Sequence, residues 1–295
     1  MAWISRGWKE YEVLDATQGL RLESWAGKLL VRPDPQVIWA TERKDPRWNR
    51  FDAKYHRSST GGGRWEIRSL PESWLLHYKD DLTFHVKPMN FKHTGVFPEQ
   101  AANWDYIREK VEGAGRPVRV LNLFAYSGGA TLAAAAGGAE VWHVDAAKGM
   151  VAMATIPLAK ENAAASGLAD RPIHWIVDDC GKFIQREIRR GRKYDGVIMD
   201  PPSYGRGPSG EIWKMEKDFY PFLLTVREIL SENPLFVIIN SYTTGLAPSA
   251  VGYMADAVFG ARFGGCTQCG ELGLPVAASG LTLPCGAAGR WEPGR

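Results

Sequence analysis

The hydrophobic and polar positions of this chain follow two patterns, one in the first 88 residues and another after them. In residues 1–88, apolar and polar residues alternate in short runs, which is typical of half-buried β-strands. Gly, Pro, Asp and Ser separate the runs, and none is long enough for a stable helix. The predicted strands are Tyr11–Leu14, Leu20–Glu23, Lys28–Arg32, Val37–Trp39, Arg64–Arg68, Trp74–His77 and Thr83–Val86. The pattern predicts a small β-rich domain.

From about residue 98, buried strands alternate with helices, which indicates βαβ units and a mostly parallel sheet. The predicted strands are Val118–Phe124, Glu140–Val144, Ile173–Val177, Tyr194–Met199 and Leu235–Asn240. The predicted helices are Glu99–Glu112, Ala130–Ala136, Lys148–Ser166, Gly181–Arg190, Lys214–Leu230 and Ser249–Phe259, and Pro157 is expected to kink the third of them. The tail, Gly265–Glu271 and Leu281–Trp291, predicts a terminal β-hairpin. We therefore predict an α/β protein with a β-rich domain over residues 1–88 and a larger domain over residues 89–295.

Composition agrees with a globular protein of two domains. The chain has 295 residues, of which 45% are hydrophobic and 23% are charged, and this excludes long disorder, collagen and a disulfide scaffold. Tryptophan is unusually frequent, because eight of the 12 tryptophans fall in the first 110 residues. Large rings allow a small sheet to fill its core, and this explains most of that excess.

The N-terminus and the cysteines point to a reducing compartment. Met1–Lys9 contains no apolar core of a signal peptide, and no segment approaches the length of a membrane span. We therefore expect a cytoplasmic protein without a membrane partner. Cys266 and Cys269 have the spacing of a metal or redox pair, but no second pair or His cluster completes a zinc site. No metal is expected, and the oligomeric state stays open.

The positive charge of the chain belongs to its N-terminal region. Residues 1–88 carry 15 basic and 12 acidic residues, whereas the rest of the chain carries equal numbers. The densest segment interleaves cations with aromatic rings: Arg43, Lys44, Arg47, Trp48, Arg50, Phe51, Lys54, Tyr55 and Arg57. Such a segment is either a solvated loop or a surface for single-stranded nucleic acid.

Candidate chemistry collects where the predicted parallel strands end. In open α/β sheets, ligands bind beyond the carboxyl ends of the strands. The residues at these ends are Phe124–Gly129, Asp145, Asp178, Asp179, Asp200–Tyr204 and Asn240–Thr244. The first loop, AYSGGAT, lacks the G-x-G-x-x-G fingerprint of nicotinamide enzymes. It also lacks the G-x-x-x-x-G-K-[ST] motif of P-loop nucleotide-binding proteins. Both of those classes are therefore disfavoured.

Three of these strand ends match a nucleoside-binding arrangement. Gly128 and Gly129 allow the backbone to approach a ligand closely. Asp145 follows about twenty residues later, where a carboxylate accepts hydrogen bonds from ribose hydroxyls. Asp178 and Asp179 end the next strand, at the expected adenine edge. Each of these acids has an alternative role as a helix N-cap.

The most specific motif is Asp200-Pro201-Pro202-Ser203-Tyr204. Two prolines remove two amide donors and restrict the residues before them. They create a stiff platform on which an acid and an aromatic ring lie beside a planar substrate. The alternative is a simple strand terminator.

Together these motifs resemble a known enzyme family. NLFAYSGGAT, VDAAKG, VDDC and MDPPSYGRGP, in that order at successive strand ends, resemble the class I S-adenosylmethionine-dependent methyltransferases, which have a Rossmann-like fold. Within that class the chain is similar to the bacterial large-subunit ribosomal RNA methyltransferases, whose members include cytosine-C5 and guanine-N7 enzymes. Phe91–Trp104, FKHTGVFPEQAANW, resembles the segment that leads into their catalytic domain. The resemblance covers about residues 83–291.

The resemblance implies S-adenosylmethionine as cofactor and a role for each motif residue. Phe124, Ala125 and Gly128 would line the methionine end of the cofactor, with Phe97 and Gln100 from the lead-in. Asp145 would hold the ribose, and Asp179, with Asp178 beside it, the adenine. Asp200, Pro201, Pro202 and Tyr204 would form the catalytic platform, and Asp200, nearest the transferred methyl group, would also be a cofactor-binding residue.

One departure from the family limits the reaction. The cytosine-C5 members carry a nucleophilic cysteine after the fifth strand, but Ile239–Thr244 contains no cysteine here. We therefore expect non-covalent methylation of a nitrogen or oxygen, with RNA, ribosomal RNA above all, as substrate. A small molecule or protein substrate, and a catalytically silent cofactor- or RNA-binding factor, are the alternatives.

Overall fold

The computed structural model describes residues 1–58, 62–89, 92–146, 152–206 and 212–294. Residues 91, 147–149 and 207–208 of the quoted motifs, and the first residues of the predicted helix 148–166, lie outside these ranges.

The N-terminal region is built from short strands, as its alternating pattern predicts. They are β1 (Ala2–Ile4), β2 (Tyr11–Thr17), β3 (Leu20–Trp25), β4 (Lys28–Pro33), β5 (Ala53–Arg57), β6 (Gly63–Ile67), β7 (Trp74–Tyr78) and β8 (Leu82–Val86). One sheet has the order β2-β3-β4-β5-β6, and β7 pairs with β8 in a separate hairpin. Short 3₁₀ turns occupy Pro46–Asn49 and, before the first helix, Pro98–Gln100.

Three strand assignments in this region differ from the sequence prediction. Val37–Trp39 is not a strand, although its backbone carbonyls accept hydrogen bonds from Gln18 and Gly19. The pattern also missed β5, because that strand has only two buried positions on one face. It missed β1 as well, a three-residue strand that pairs with the C-terminal hairpin.

The rest of the chain alternates strands and helices, which confirms the predicted α/β class. Its strands are β9 (Arg119–Leu123), β10 (Glu140–Asp145), β11 (Ile173–Val177), β12 (Gly196–Met199), β13 (Tyr204–Arg206), β14 (Ile212–Lys214), β15 (Phe236–Ser241), β16 (Cys266–Pro275) and β17 (Thr282–Glu292). Its helices are α1 (Ala101–Glu112), α2 (Gly129–Ala136), α3 (Ala152–Ala165), α4 (Cys180–Arg189), α5 (Met215–Arg227), α6 (Pro248–Ala255) and α7 (Ala261–Phe263). A π-helical turn, Asp256–Gly260, joins α6 to α7. Pro157 lies inside α3, which continues past it.

The main sheet places the strand ends along one edge. Its order is β1-β16-β17-β15-β12-β9-β10-β11, and only β17 runs antiparallel to its neighbours. The chain passes from β9 through β10 to β11 and then returns to β12 on the other side of β9. This reversal creates a crevice beyond the carboxyl ends of β9 and β12, where ligands bind in such sheets.

The two regions share one apolar core. Leu76 and Phe84 of the N-terminal hairpin pack in the same buried cluster as Trp104 of α1 and Leu132 of α2. Backbone hydrogen bonds reinforce the contact, since the His85 amide donates to Asn162 Oδ1 over 2.7 Å. The division at residue 88 stays a prediction.

Tryptophan burial agrees with the core-filling explanation. Trp25 and Trp48 are buried, and Trp8, Trp39, Trp65 and Trp74 pack partly buried against the shared cluster. No helix of the described residues is long and apolar enough to cross a membrane.

Candidate active site

A cleft lies beyond the ends of β9, β12 and β15. The residues lining it include Phe97, Gln100, Asn122, Phe124, Ala125, Tyr126, Gly129, Asp200 and Asn240. Five of these were predicted from the sequence: Phe97, Gln100, Phe124, Ala125 and Asp200.

The loop after β9 has an unusual backbone. Phe124 and Tyr126 have φ angles of 56° and 50°, in the left-handed region that bulky residues rarely adopt. Gly128 follows with φ 89° and precedes the first turn of α2. Such conformations persist only where surrounding contacts hold them, and they cluster at ligand sites. A β-carbon at Gly129 would lie 2.5 Å from the ring of Trp104, so only glycine fits there.

Asp145 is one of the contacts that hold this loop. Its carboxylate accepts a hydrogen bond from the backbone amide of Tyr126 over 2.8 Å, and others from the Ala146 amide and the Thr155 side chain. Burial raises the pKa of Asp145 despite these donors. The acid predicted to bind ribose therefore also fixes the loop that lines the cleft. Its role toward a ribose stays a prediction.

Asp178 and Asp179 are engaged within the protein. Asp178 forms an ion pair with Arg186 of α4 and accepts from the Asp179 amide. Asp179 accepts from the Lys182 amide over 2.9 Å and is the N-cap of α4. The capping alternative is therefore present for Asp179. Contact of either acid with adenine remains a prediction.

The Asp200 platform is braced by elements that the sequence did not predict. The Pro202 carbonyl accepts from the Trp213 indole over 2.7 Å, and Trp213 lies on β14 of a small hairpin with β13. The Ser203 hydroxyl lies 2.8 Å from that of Thr243, in the loop after β15. Pro201 is buried, whereas Pro202 and Tyr204 are exposed. Tyr204 is therefore available to a substrate that approaches from solvent.

Asp200 itself lacks a hydrogen-bond partner within the described ranges. Its side chain lines the cleft at the end of β12. Burial, and then the nearby charge of Glu99, raise the pKa of Asp200 to about 7. A carboxyl group with such a pKa is suited to accept or hold a proton near neutral pH.

A polar network that the sequence analysis missed joins the lead-in segment to β15. The Gln100 amide donates to the Tyr242 hydroxyl over 2.9 Å, and Tyr242 donates to Glu99 over 3.1 Å. Asn103 donates to both Gln100 and Asn240, each over 2.9 Å. Asn240 and Tyr242 follow the same strand-end rule as Asp145 and Asp200. Nothing in the sequence pattern signals Glu99.

The basic segment of the N-terminal region is not an aromatic platform. Trp48, Phe51 and Tyr55 are all buried, and cations lie over two of these rings, with Arg43 at 4.7 Å from the Trp48 ring and Arg68 at 3.7 Å from the Phe51 ring. These three rings are therefore not exposed for stacking with bases. Their burial fills the sheet's core, while Arg43, Lys44, Arg47, Arg50 and Arg57 remain exposed.

A second group of charges lies beside the cleft. The His93 ring lies 5.4 Å from the Phe97 ring. The adjacent Lys92 interacts electrostatically with Arg57, at the end of β5. Burial, and then the charges of Arg21, Arg32 and Arg57, lower the pKa of Lys92 to about 8. Arg57 is exposed and has no ion-pair partner in the part of the chain that the structure describes. Arg57 and Lys92 form a positively charged rim next to Phe97, which lines the cleft.

None of the four cysteines is among the residues that line the cleft. Cys180 is buried, and Cys266 and Cys269 lie on β16. Cys285 is close enough to Glu99 to feel its charge, but burial and that charge raise the pKa of its thiol well above the usual value. A thiol with a raised pKa is a poor nucleophile.

The sheet order, the Gly-rich loop and the acids at successive strand ends define a class I methyltransferase. A family model for S-adenosylmethionine-dependent methyltransferases matches residues 39–247. The chain belongs to this family, and its cofactor is S-adenosylmethionine. The match begins inside the N-terminal β region, earlier than the sequence motifs indicated.

One solved structure is similar over the whole chain. The crystal structure of an S-adenosylmethionine-dependent methyltransferase from Agrobacterium tumefaciens has a TM-score of 0.90 and 37% identity, covering 100% of this chain and 94% of that one.

Two curated relatives are named as ribosomal RNA methyltransferases. Ribosomal RNA large subunit methyltransferase K/L of Shewanella frigidimarina is 29% identical over 73% of this chain and 27% of its own length. Ribosomal RNA large subunit methyltransferase I of Erwinia tasmaniensis is 33% identical over 38% of this chain and 26% of its own length. The chain thus spans about a quarter of the length of these relatives.

Proposed function

We propose that this enzyme methylates a base of ribosomal RNA, at a nitrogen or oxygen, without a covalent enzyme intermediate. The observation that carries the proposal is Asp200, a carboxylate without a partner in the described residues, on a braced Pro-Pro platform at the cleft. A base has the planar shape that such a platform fits. Ribosomal RNA as substrate agrees with the cytoplasmic location that the sequence predicts.

RNA is favoured over a small molecule by the charges around the cleft. Arg57 and Lys92 create a positive rim beside Phe97, which lines the cleft. Phosphate contacts from such cations provide sequence-independent affinity for nucleic acid. The names of the curated relatives point to the same class of substrate.

The reaction mainly requires that cofactor and substrate are aligned and that a group of the enzyme can accept a proton. When bound, S-adenosylmethionine would supply an electrophilic methyl group: the methyl carbon bonds to a substrate lone pair as its bond to sulfur breaks, and S-adenosylhomocysteine leaves with that electron pair. Phe124, Ala125 and Tyr126 shape the cleft that orients the reactants, and alignment of this kind lowers the barrier. Asp200 accepts a hydrogen bond from the methylated group and holds its proton if the group is an amine. Tyr204, exposed on the platform, lies available to a base.

A covalent mechanism is disfavoured by the thiols. Attack at a base carbon requires a thiolate. Cys180 is buried away from solvent, and burial raises the pKa of the Cys285 thiol. A nitrogen or oxygen acceptor needs no such nucleophile.

Mass spectrometry of modified nucleosides tests the proposal. Total RNA from the strain that encodes this protein is compared with RNA from a deletion strain and from one complemented with the gene. We expect one methylated nucleoside to decrease on deletion and to return on complementation. If every RNA species kept its full set of methylated nucleosides, an RNA substrate would be excluded and a small molecule or protein favoured.

A further inference from the structure

Glu99 is a buried acid with half of its carboxylate unused. It lies in the 3₁₀ turn Pro98–Gln100, and only 4% of the residue is exposed. Its Oε1 accepts a hydrogen bond from the Tyr242 hydroxyl over 3.1 Å. Its Oε2 has no hydrogen-bond partner among the described residues. A buried polar atom without a partner costs free energy, so such an atom in a binding region indicates a missing ligand group.

The acid lies beside the cleft, near two residues that line it. Its charge raises the pKa of Asp200, and the Gln100 amide donates to the same Tyr242 hydroxyl that donates to Glu99. The Tyr242 ring lies 5.7 Å from that of Phe97, which also lines the cleft, yet 37% of Tyr242 is exposed. Glu99 is therefore next to the cleft and keeps one acceptor oxygen that no described residue uses.

The other groups near Glu99 are committed elsewhere. Arg21 is paired with Glu23 and Asp34, each over 3.3 Å. The Cys285 thiol donates to the Leu283 carbonyl over 3.4 Å. Neither group is a donor to Glu99 in the structure. A carboxylate oxygen accepts hydrogen bonds only, so its complement is a donor that comes from outside the chain.

We propose that Glu99, oriented by Tyr242, accepts a hydrogen bond from an N–H group of the substrate base. This inference rests on the proposed function and adds a requirement to it: the base presents an amino group or a protonated ring nitrogen next to the atom that is methylated. Two neighbouring acids, Glu99 and Asp200, then face one base from the same side. A base presenting only acceptors at that edge would meet two acids and no donor, and would be rejected.

The test compares Glu99→Gln with a matched exposed control, Glu112→Gln on α1. Glutamine keeps the size of the side chain and an oxygen for Tyr242, but places an amide NH₂ where Oε2 was. With RNA from the deletion strain as substrate, we expect kcat/KM of Glu99→Gln to fall about 10- to 100-fold. Glu112→Gln should match the wild type. Tyr242→Phe, which releases the acid, should show a smaller loss of the same kind.

Cofactor binding separates this role from others. Titration calorimetry with S-adenosylhomocysteine and with 5′-methylthioadenosine, which lacks the amino acid, should give the same affinities for Glu99→Gln and wild type. Unchanged cofactor affinity also shows that the variant is folded. A selective loss of S-adenosylhomocysteine affinity would overturn the inference, because Glu99 would then hold the cofactor's ammonium group. Wild-type kcat/KM for Glu99→Gln would also overturn it. If the wild type itself failed to methylate this RNA, the proposed function would fall first.

Discussion

The two ends of the candidate site use carboxylates in opposite ways. At one end, after β10 and β11, Asp145 and Asp179 accept hydrogen bonds from backbone amides of the protein itself, and Asp178 is paired with Arg186. At the other end, Asp200 has no partner in the described chain and Glu99 has one free oxygen. The first set holds the surrounding protein in place, whereas the second set has acceptor oxygens left for a ligand.

This difference shows how one sheet edge supports both a stable framework and a reactive site. Acids that bond to the backbone hold strained loops in place, as Asp145 does at Tyr126. Acids without donors keep a raised pKa and gain most from a donor that arrives with the substrate. Substitutions at the two ends should therefore have different effects on binding and on catalysis.

Asp200→Asn should have the largest effect. Asparagine keeps the shape of the side chain but cannot hold a proton, so methyl transfer should fall about 100-fold or more. The affinity for S-adenosylhomocysteine should change by less than about threefold, because asparagine keeps the shape of the side chain and no hydrogen bond among the described residues depends on this carboxylate. Single-turnover assays and calorimetry measure the two quantities. An equal loss of both would remove the distinction between the two ends.

The next largest effect should be the dependence of the methyl-transfer rate on pH, which depends on the protonation of Asp200. Its raised pKa of about 7 means that the carboxylate becomes protonated as the pH falls through 7 and can then no longer accept a proton. Below that value the rate of methyl transfer should fall about tenfold per pH unit, and above it the rate should level off. Glu99→Gln removes a neighbouring negative charge, so the pH below which the rate falls should be lower in this variant. If the wild-type rate fell only below about pH 4, the raised pKa of Asp200 would be contradicted.

Asp145→Asn should act on binding instead. In the wild type, the two oxygens of Asp145 accept hydrogen bonds from several donors, whereas asparagine offers only one acceptor oxygen. The Tyr126 loop should therefore loosen, and the affinity for S-adenosylhomocysteine should fall about tenfold. The free energy of unfolding should decrease by about 1–2 kcal/mol, measured by urea titration. Asp170→Asn, an exposed position before β11, is the control. If Asp145→Asn lost all turnover but kept its affinity for S-adenosylhomocysteine, Asp145 would act in catalysis and not in binding, contrary to this prediction.

The positive rim should give the smallest effect. Arg57→Ala should weaken RNA binding severalfold and reduce the slope of log affinity against log salt by about one. Cofactor affinity should not change. Arg171→Ala is a matched control, since Arg171 is also exposed but lies before the amino end of β11, away from the cleft. Equal salt slopes for the two variants would exclude this rim as a phosphate-binding surface.

Much of the fold followed from periodicity, and the exceptions are informative. The strands and helices after residue 98 were predicted within a few residues, because each buries a regular face against the sheet. The small hairpin of β13 and β14 was missed, since strands of three residues are too short to show a period. The N-terminal sheet was predicted in kind, but β5 was not, because it lies within the basic segment.

The sequence by itself determined the class of enzyme and the acids of the strand ends. Parallel strands bring their carboxyl ends to one edge, so Asp145, Asp178, Asp179 and Asp200 could be predicted to collect there without any knowledge of packing. Only the tertiary structure decided which of them are engaged by the protein and which are free. It also joined Glu99 to Tyr242, 143 residues apart, and buried Trp48 and its neighbours beneath their cations. The physical reason is that periodicity records which face of an element is buried, whereas the partner of a polar atom depends on long-range packing.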